Sequence, residues 1–178
     1  MSSNGAGVST SGDNVTRREF IKTAATAAAV IPAVGMPLAV ARGAYARGAD
    51  TIKIGLIGCG GRGTGAAAQA VNADPGCVLW SMGDVFKDRL DNSLKGLNEN
   101  FGDKASQRIQ VAADRQFVGF DAYKQVIDSG VDVVVLTSYP NFRPTHIKYA
   151  LEKGKHVFAE KPVAVDMVGL KSVMESGE

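Results

Sequence analysis

The six residues from 58 to 63 have the spacing of a phosphate-binding loop. Their sequence, Gly58-Cys59-Gly60-Gly61-Arg62-Gly63, matches the pattern G-x-G-x-x-G. In such a loop the first glycine allows a tight turn, the second lets the backbone approach a pyrophosphate, and the third lets a helix pack closely against a strand. The N–H groups at the start of that helix then face the negative charge of the phosphates. This glycine loop, residues 58–63, therefore predicts a dinucleotide site to which Gly61 and Arg62 also contribute.

An acidic residue follows the glycine loop at the distance that a dinucleotide site requires. Asp84 lies 21 residues after Gly63, where a carboxylate can accept hydrogen bonds from the adenosine ribose hydroxyls. A carboxylate also repels a 2′-phosphate, so Asp84 favours NAD as the cofactor. Lys87 and Arg89 are close enough in sequence to attract that phosphate, and they leave NADP open. The structural alternative is an ordinary Gly-rich turn from strand to helix, with Asp84 as a surface turn residue.

The segments that must position these residues alternate between strands and helices. Nearly continuous apolar runs, typical of buried parallel strands, lie at residues 52–58, 77–82, 131–137 and 156–159. Segments with helical spacing or small residues lie between them, at 62–73, 86–101, 121–129 and 144–153. A further strand is predicted at either 109–111 or 116–118. The sequence therefore predicts an α/β fold with a doubly wound parallel sheet of the Rossmann type.

Residues 1–46 have the composition of an export signal rather than of a folded domain. The pair Arg17-Arg18 resembles the twin-arginine signal of bacteria, and 19 uncharged residues, 23–41, follow it before small-residue cleavage sites of the form A-x-A. We therefore expect export to the periplasm, with the twin-arginine translocation machinery as a partner. An uncleaved anchor and a plain disordered tail are the alternatives; weak hydrophobicity and two prolines argue against the anchor.

Charge and cysteine content exclude several other classes of protein. The 20 Lys and Arg against 18 Asp and Glu give a net charge of +2. The whole excess lies in residues 1–46, so the rest of the chain has no field that would attract nucleic acid. Cys59 and Cys77 cannot form a disulfide framework, and their spacing is not that of a zinc site. The sequence predicts neither a nucleic-acid partner nor a metal site.

Three segments resemble one known family. They are residues 53–60, the apolar run 131–136 followed by Pro140-Asn141 and His146, and residues 154–162 with the sequence Gly-Lys-His-Val-Phe-Ala-Glu-Lys-Pro. Together they resemble the glucose–fructose oxidoreductase/inositol dehydrogenase/MocA family, and the likeness covers roughly residues 52–166. The family often has Pro-Asn-x-x-His, whereas four residues separate Asn141 from His146 here, so this loop is two residues longer.

The resemblance implies an oxidoreductase that transfers a hydride between NAD or NADP and a hydroxyl or carbonyl group of a sugar or polyol. It places Lys161 beside the nicotinamide, where the ammonium would hydrogen-bond the reacting oxygen and relay its proton, and it makes His146 a second catalytic candidate. The residues expected around the nicotinamide end of the cofactor are Thr137, Ser138, Pro140, Asn141, Glu160, Lys161 and Pro162. The alternatives are a solvated loop lysine for Lys161 and, for His146, a place in the first turn of a surface helix.

The resemblance also predicts the domain organisation. Residues 47–166 would form the Rossmann domain, and residues 167–178 would begin a helix leading to the second, largely antiparallel β domain of family members. The chain would then be the amino-terminal fragment of a longer enzyme, inactive alone, whose β domain supplies the interface of a homo-oligomer. One alternative is a free-standing nucleotide-binding module without catalysis. Another is a short-chain dehydrogenase, which is disfavoured because we expect no Tyr-x-x-x-Lys pair in this chain.

Overall fold

The computed structural model describes residues 51–177, so the predicted export signal lies outside the described residues. The strands are β1 (Ile52–Ile57), β2 (Cys77–Asp84), β3 (Gln116–Val118), β4 (Val133–Leu136) and β5 (His156–Ala159). The helices are α1 (Gly61–Ala73), α2 (Lys87–Phe101), α3 (Ala105–Arg108), α4 (Ala122–Asp128), α5 (Arg143–Glu152) and α6 (Met167–Ser176). Short 3₁₀ turns occupy Gly102–Lys104 and Ala113–Arg115.

The five strands form one parallel sheet in the order β3-β2-β1-β4-β5. From β1 the chain proceeds through β2 to β3 on one side, and then crosses back to β4 and β5 on the other side. The neighbouring strands β1 and β4 therefore mark the point at which the direction of winding reverses. This arrangement confirms the predicted Rossmann fold, and it makes the carboxyl ends of β1 and β4 the expected place for a ligand.

Each face of the sheet is covered by its own layer of helices. On one face, Ile54 and Leu56 of β1 pack with Ala66, Ala67 and Val71 of α1 and with Leu90 and Leu97 of α2. On the other face, Val134 and Leu136 of β4 pack with α4 and α5, and α6 packs against α5. Because β1 and β4 are apolar on both faces, they are buried without the alternation of a half-exposed strand.

The sequence placed most of these elements correctly and left one strand undecided. Of the two candidates for that strand, residues 116–118 form β3 and pair with the end of β2, whereas Ile109 makes only an isolated bridge to Leu79. Strand β2 continues two residues beyond its apolar run, so Asp84 is its last residue. Helix α6 begins where it was expected, because the Asp166 side chain accepts a hydrogen bond from the Gly169 N–H at 2.7 Å and caps the first turn.

Within residues 51–177, no helix combines the length and the apolarity needed to cross a bilayer. The same residues contain no cluster of three or more His, Cys, Asp or Glu side chains that could hold a metal ion.

Candidate functional site

The predicted site residues lie along one edge of the sheet. All five strands are parallel, so their carboxyl ends meet at the same edge. The glycine loop follows β1, and Asp84 ends β2. Thr137 and Ser138 follow β4, and the corner Glu160-Lys161-Pro162 follows β5. The fold therefore brings residues that are about 100 positions apart in the sequence to the carboxyl edge.

Two glycines of the loop are required by the packing of the protein itself. Gly58 has a φ of +96°, and a Cβ at this position would lie 2.6 Å from the Ser138 nitrogen. A Cβ at Gly63 would lie only 1.9 Å from the Gly58 carbonyl oxygen. The Thr137 hydroxyl donates a hydrogen bond to that same oxygen at 2.6 Å. The start of α1 is therefore pressed against the ends of β1 and β4, and Thr137 holds the loop in this position.

A third glycine of the loop, Gly60, is not required by the packing of the protein. The open space at this position is the observation that best fits a bound ligand. A Cβ at Gly60 would meet no heavy atom of residues 51–177 within 4 Å. Gly60 precedes α1, and no side chain among the described residues caps the first turn of that helix. The absence of a side chain at position 60 therefore leaves room for a pyrophosphate to reach the N–H groups of α1, and binding there stays a prediction.

Asp84 is bonded to the glycine loop in addition to lying at the predicted ribose position. One carboxylate oxygen accepts a hydrogen bond from the Cys59 N–H at 2.6 Å, and the other accepts one from the Phe86 N–H at 2.9 Å. Each oxygen can accept a second hydrogen bond, so both can still receive ribose hydroxyls. Burial and the Asp84 charge raise the pKa of the Cys59 thiol, so this thiol stays protonated inside the loop. Asp84 thus serves the loop and the predicted cofactor site together.

Lys87 and Arg89 lie in the first turn of α2, just beyond Asp84. The Lys87 ammonium donates to both carboxylate oxygens of Asp91 at 2.7 Å, one turn further along the helix. This pairing offsets the positive charge that would attract a 2′-phosphate. The pairing therefore weakens the attraction from Lys87, whereas Arg89 is exposed and still leaves NADP open.

The corner after β5 is tied to the glycine loop by an ion pair. The Arg62 guanidinium donates to the Glu160 carboxylate, which is largely buried, with its side chain 12% exposed against 57% for Arg62. The hydrogen bond from Arg62 lowers the pKa of the Glu160 carboxyl below its ordinary value. Lys161, the next residue, is exposed, and its peptide bond to Pro162 is cis. The two predicted halves of the site are thus in direct contact through Arg62 and Glu160.

Sequence reasoning missed Arg143, the first residue of α5. This side chain is only 6% exposed, and its Nε donates to the Ser138 carbonyl at 2.8 Å. Its Nη1 donates to the carbonyls of Glu160 and Pro162, each at 2.6 Å. Arg143 therefore joins the loop after β4 to the corner after β5. The sequence signal that could have identified it is the arginine among the four residues between Asn141 and His146, in the loop that is two residues longer than in the family pattern.

His146 is buried inside the domain rather than exposed on a helix surface. It lies in the first turn of α5, 8% exposed, with its ring stacked on Tyr123 at 4.2 Å between centroids. Its Nδ1 shares a 3.1 Å hydrogen bond with the Ser138 hydroxyl. Burial lowers the pKa of His146 to about 4, so the imidazole is neutral at pH 7. The catalytic role given to it stays a prediction; in this structure the ring supports Ser138.

The remaining predicted residues, Pro140 and Asn141, lie in the loop between β4 and α5. The Pro140 carbonyl accepts a hydrogen bond from the Arg143 N–H at 3.3 Å, and Asn141 is exposed beside it. Both are therefore at the carboxyl edge, as expected.

The sequence contains one pair with the spacing Tyr-x-x-x-Lys, Tyr149 and Lys153, contrary to the expectation that it has none. The pair lies at the far end of α5, away from the carboxyl edge. The Tyr149 hydroxyl donates to Asp128 at 2.7 Å, and the Lys153 ammonium lies 3.5 Å from the same carboxylate. These residues form a surface cluster outside the site, so the pair does not support a short-chain dehydrogenase.

Comparison with known proteins agrees with this geometry. The family model described as "Oxidoreductase family, NAD-binding Rossmann fold" matches residues 52–177. The glycosyl hydrolase family 109 protein of Shewanella pealeana is 26% identical, over 91% of this chain and 37% of its own length. Inositol 2-dehydrogenase of Cereibacter sphaeroides is 27% identical, over 72% of this chain and 33% of its own length.

Solved structures of dehydrogenases are also similar to this chain. Scyllo-inositol dehydrogenase from Lactobacillus casei is 25% identical with a TM-score of 0.56, over 72% of this chain and 33% of that one. The same enzyme with bound NAD(H) and scyllo-inositol has a TM-score of 0.55 at 25% identity, over 71% of this chain and 32% of that one. The chain spans 25% to 37% of the length of the first curated relatives that it matches.

A substitution at Gly60 tests the pyrophosphate site without disturbing the packing. We expect Gly60→Val to weaken NAD binding by about tenfold or more, that is by about 1.4 kcal/mol or more, because its side chain would fill the approach to α1. The melting temperature should stay close to that of the wild type, since a Cβ at this position meets no atom. Calorimetric titration with NAD measures the affinity. Gly96→Val in α2 is the matched control, because position 96 is equally open; unchanged NAD affinity in a folded Gly60→Val protein would contradict the site.

Substitution of Asp84 tests the choice of cofactor. We expect Asp84→Ala to lower NAD affinity by about 1–2 kcal/mol, the scale of hydrogen bonds to a charged acceptor. The ratio of NAD to NADP affinity should fall as well, because the repulsion of the 2′-phosphate is removed. That ratio, from titrations with both nucleotides, separates a contact with the ribose from mere support of the loop, which would weaken both nucleotides alike. A wild-type preference for NADP would show that Lys87 or Arg89 outweighs Asp84.

Proposed function

The chain belongs to this oxidoreductase family with an NAD-binding Rossmann fold, and from this we propose that it is the nucleotide-binding part of an NAD-dependent oxidoreductase. Its reaction would transfer a hydride between nicotinamide and a hydroxyl or carbonyl group of a sugar or polyol. The observation that carries the proposal is the open approach to α1 at Gly60, on the same edge as Asp84 and Lys161. Relatives named as inositol dehydrogenases support the substrate class.

Each end of the site would have its own task in holding the cofactor. The glycine loop would bind the pyrophosphate through backbone N–H groups, and Asp84 would bind the adenosine ribose. The nicotinamide end would lie near Thr137, Ser138, Pro140 and Asn141 after β4 and near Glu160 after β5. Arg62 is mostly exposed while it is paired with Glu160, so its guanidinium can also face a phosphate. When bound, NAD supplies the carbon that accepts or gives the hydride.

Lys161 is the residue that we assign to proton transfer. It is exposed at the carboxyl edge, and hydrogen bonds from Arg143 to the carbonyls of Glu160 and Pro162 fix the backbone on both sides of it. Its ammonium would hydrogen-bond the reacting oxygen of the substrate. In its neutral form the lysine would take the hydroxyl proton during oxidation, and in its charged form it would return that proton during reduction.

A second candidate function is cleavage of a glycosidic bond. It is favoured by relatives named as glycosyl hydrolase family 109 proteins from Shewanella pealeana and Bacteroides thetaiotaomicron. Both reactions need a sugar at the same edge of the sheet, and their products distinguish them. Appearance of NADH with polyols indicates the dehydrogenase, whereas release of nitrophenol from a nitrophenyl glycoside indicates the hydrolase. Nucleotide binding with neither product across a panel of substrates would favour the free-standing binding module.

We further propose that the protein is exported to the periplasm by the twin-arginine machinery, folded and with NAD already bound. The pair Arg17-Arg18 and the weakly apolar segment after it support this route. The similarity to the Shewanella relative covers 91% of the chain, against 72% for the inositol dehydrogenase, so it extends ahead of the Rossmann domain. A homo-oligomer is expected through the β domain that family members carry.

Replacement of Lys161 tests the assignment of proton transfer. In the active enzyme, Lys161→Ala should lower turnover by about 10²- to 10⁴-fold, the usual contribution of a positioned acid–base group, because the reacting oxygen would lose the ammonium that exchanges its proton. NAD affinity should change little, since the cofactor is bound mainly by the loop and Asp84. Steady-state rates and NAD titrations measure the two effects. Lys155→Met, just ahead of β5, is the control; wild-type turnover in Lys161→Ala would remove this residue from the mechanism.

Replacement of the arginine pair tests export. We expect Arg17→Lys with Arg18→Lys to leave the protein in the cytoplasm with its NAD bound, because the paired arginines are the recognised feature of the signal. Cell fractionation locates the protein, and extraction of the purified protein measures its nucleotide. Arg42→Lys, a substitution of the same kind further along residues 1–46, should be exported normally. Normal export of the double variant would defeat the signal assignment, and exported wild-type protein without nucleotide would defeat the proposal that NAD is loaded first.

A further inference from the structure

Arg143 donates hydrogen bonds to backbone carbonyls on both sides of Lys161, the proposed catalytic residue. Two of its three acceptors are the carbonyls of Glu160 and Pro162, the residues on either side of Lys161. The third acceptor is the carbonyl of Ser138, in the loop that follows the neighbouring strand. Arg143 therefore fixes the backbone of Lys161 relative to the end of β4.

The end of β4 is in turn fixed relative to the glycine loop. Thr137, the residue before Ser138, donates its hydroxyl hydrogen bond to the Gly58 carbonyl at 2.6 Å. The backbone of Ser138 also lies against Gly58, so closely that a Cβ there would be 2.6 Å from the Ser138 nitrogen. A continuous series of contacts thus leads from Lys161 through Arg143 to the loop predicted to bind the pyrophosphate.

An arginine is the side chain best suited to this task. Its guanidinium is planar, and its five N–H donors point in fixed directions, so it can serve acceptors on two loops at once. A lysine ammonium has three donors at one point and no rigid fork. The position is also demanding, because Arg143 is 6% exposed and burial lowers the pKa of its guanidinium. A truncated side chain would leave three partly buried carbonyls without this donor.

We infer that Arg143 is a positioning residue for the reaction, which holds the Lys161 backbone so that the ammonium faces the reacting oxygen. The inference rests on the proposed function, in which Lys161 transfers the proton. Arg143, at the start of α5, would thus set the geometry of that proton transfer from outside the corner after β5. A displacement of about 1 Å in a reacting group can lower a rate by about 100-fold.

The chain offers a closely matched control at the opposite edge of the sheet. The Arg108 guanidinium also donates to three backbone carbonyls, those of Val71, Asp74 and Pro75, at the end of α1. Arg108→Met therefore removes the same kind of interaction far from the site. It should lower the melting temperature and leave turnover below that temperature unchanged.

We expect Arg143→Met to lower kcat by about 10- to 100-fold and to change NAD affinity by less than about twofold. The deciding measurement is a double-mutant cycle with Lys161→Ala. If Arg143 acts through Lys161, then Arg143→Met should have no further effect on kcat once Lys161 is alanine. Arg143→Lys, which keeps the charge without the fork, should lower kcat as well, and it takes the place of Arg143→Met in the cycle if that variant fails to fold.

The outcomes separate this inference from the proposed function. If Lys161→Ala itself keeps wild-type turnover, the proposed function of Lys161 fails. If Lys161→Ala is impaired while Arg143→Met has normal kcat, or lowers kcat by the same factor in both backgrounds, only the positioning role is overturned. The latter pattern, accompanied by a fall in melting temperature like that of Arg108→Met, would assign Arg143 to stability alone.

Discussion

The first turn of α1 lies against the ends of β1 and β4 with no space for a side chain between them. A Cβ at Gly63 would be 1.9 Å from the Gly58 carbonyl oxygen and 2.6 Å from the Thr137 hydroxyl. Since the helix begins this close to the sheet, its N–H groups are directed at the carboxyl edge. The close contact also allows the Thr137 hydroxyl, after β4, to donate a hydrogen bond to the Gly58 carbonyl, after β1. The predicted phosphate site thus depends on β1 and β4 being neighbours in the sheet.

Loops at the two edges of the sheet contain carbonyls that the strand ladders leave unpaired, and buried carbonyls need donors. In this domain arginines supply several of them. Arg108 serves the turn between α1 and β2, and Arg143 serves the loops after β4 and β5. One arginine holds a connection with no assigned chemistry, and the other holds the connection that carries Lys161. Similar local physics therefore stabilises the fold at one edge and arranges the site at the other.

The nucleotide half of the site was predictable because its signals are local. A glycine pattern between an apolar strand and a small-residue helix defines the loop, and Asp84 follows at a fixed distance. Strand β3 was ambiguous because it has only three residues, none of them buried, and an edge strand of that length leaves little periodicity. Asp84 as a support of the loop was missed, because its bond to Cys59 joins residues 25 positions apart.

The other half of the site is held by contacts that leave no pattern in the sequence. Arg143 donates hydrogen bonds to backbone carbonyls. Every residue has such a carbonyl, so no residue type in the sequence indicates which partners the arginine will have. The sequence placed His146 in the correct helix but could not show its burial, because Tyr123 packs on its ring from a different helix. The spacing of Tyr149 and Lys153 shows the converse: a motif can be present and still lie at the wrong end of its helix. Spacing identifies chemistry only together with the edge of the sheet at which the residues lie.

The dispersal of the site over the ends of four strands also bears on the proposed export. The loop after β1, Asp84, Thr137 and the corner after β5 meet only when β2, β1, β4 and β5 are assembled in order. A chain threaded unfolded through a membrane would have none of these neighbours in place, so it could not keep a bound dinucleotide. A route that carries folded protein is therefore the one compatible with a cofactor loaded before export. The order of strands and the proposed twin-arginine signal ahead of them would therefore share one requirement, which is that folding precedes transport.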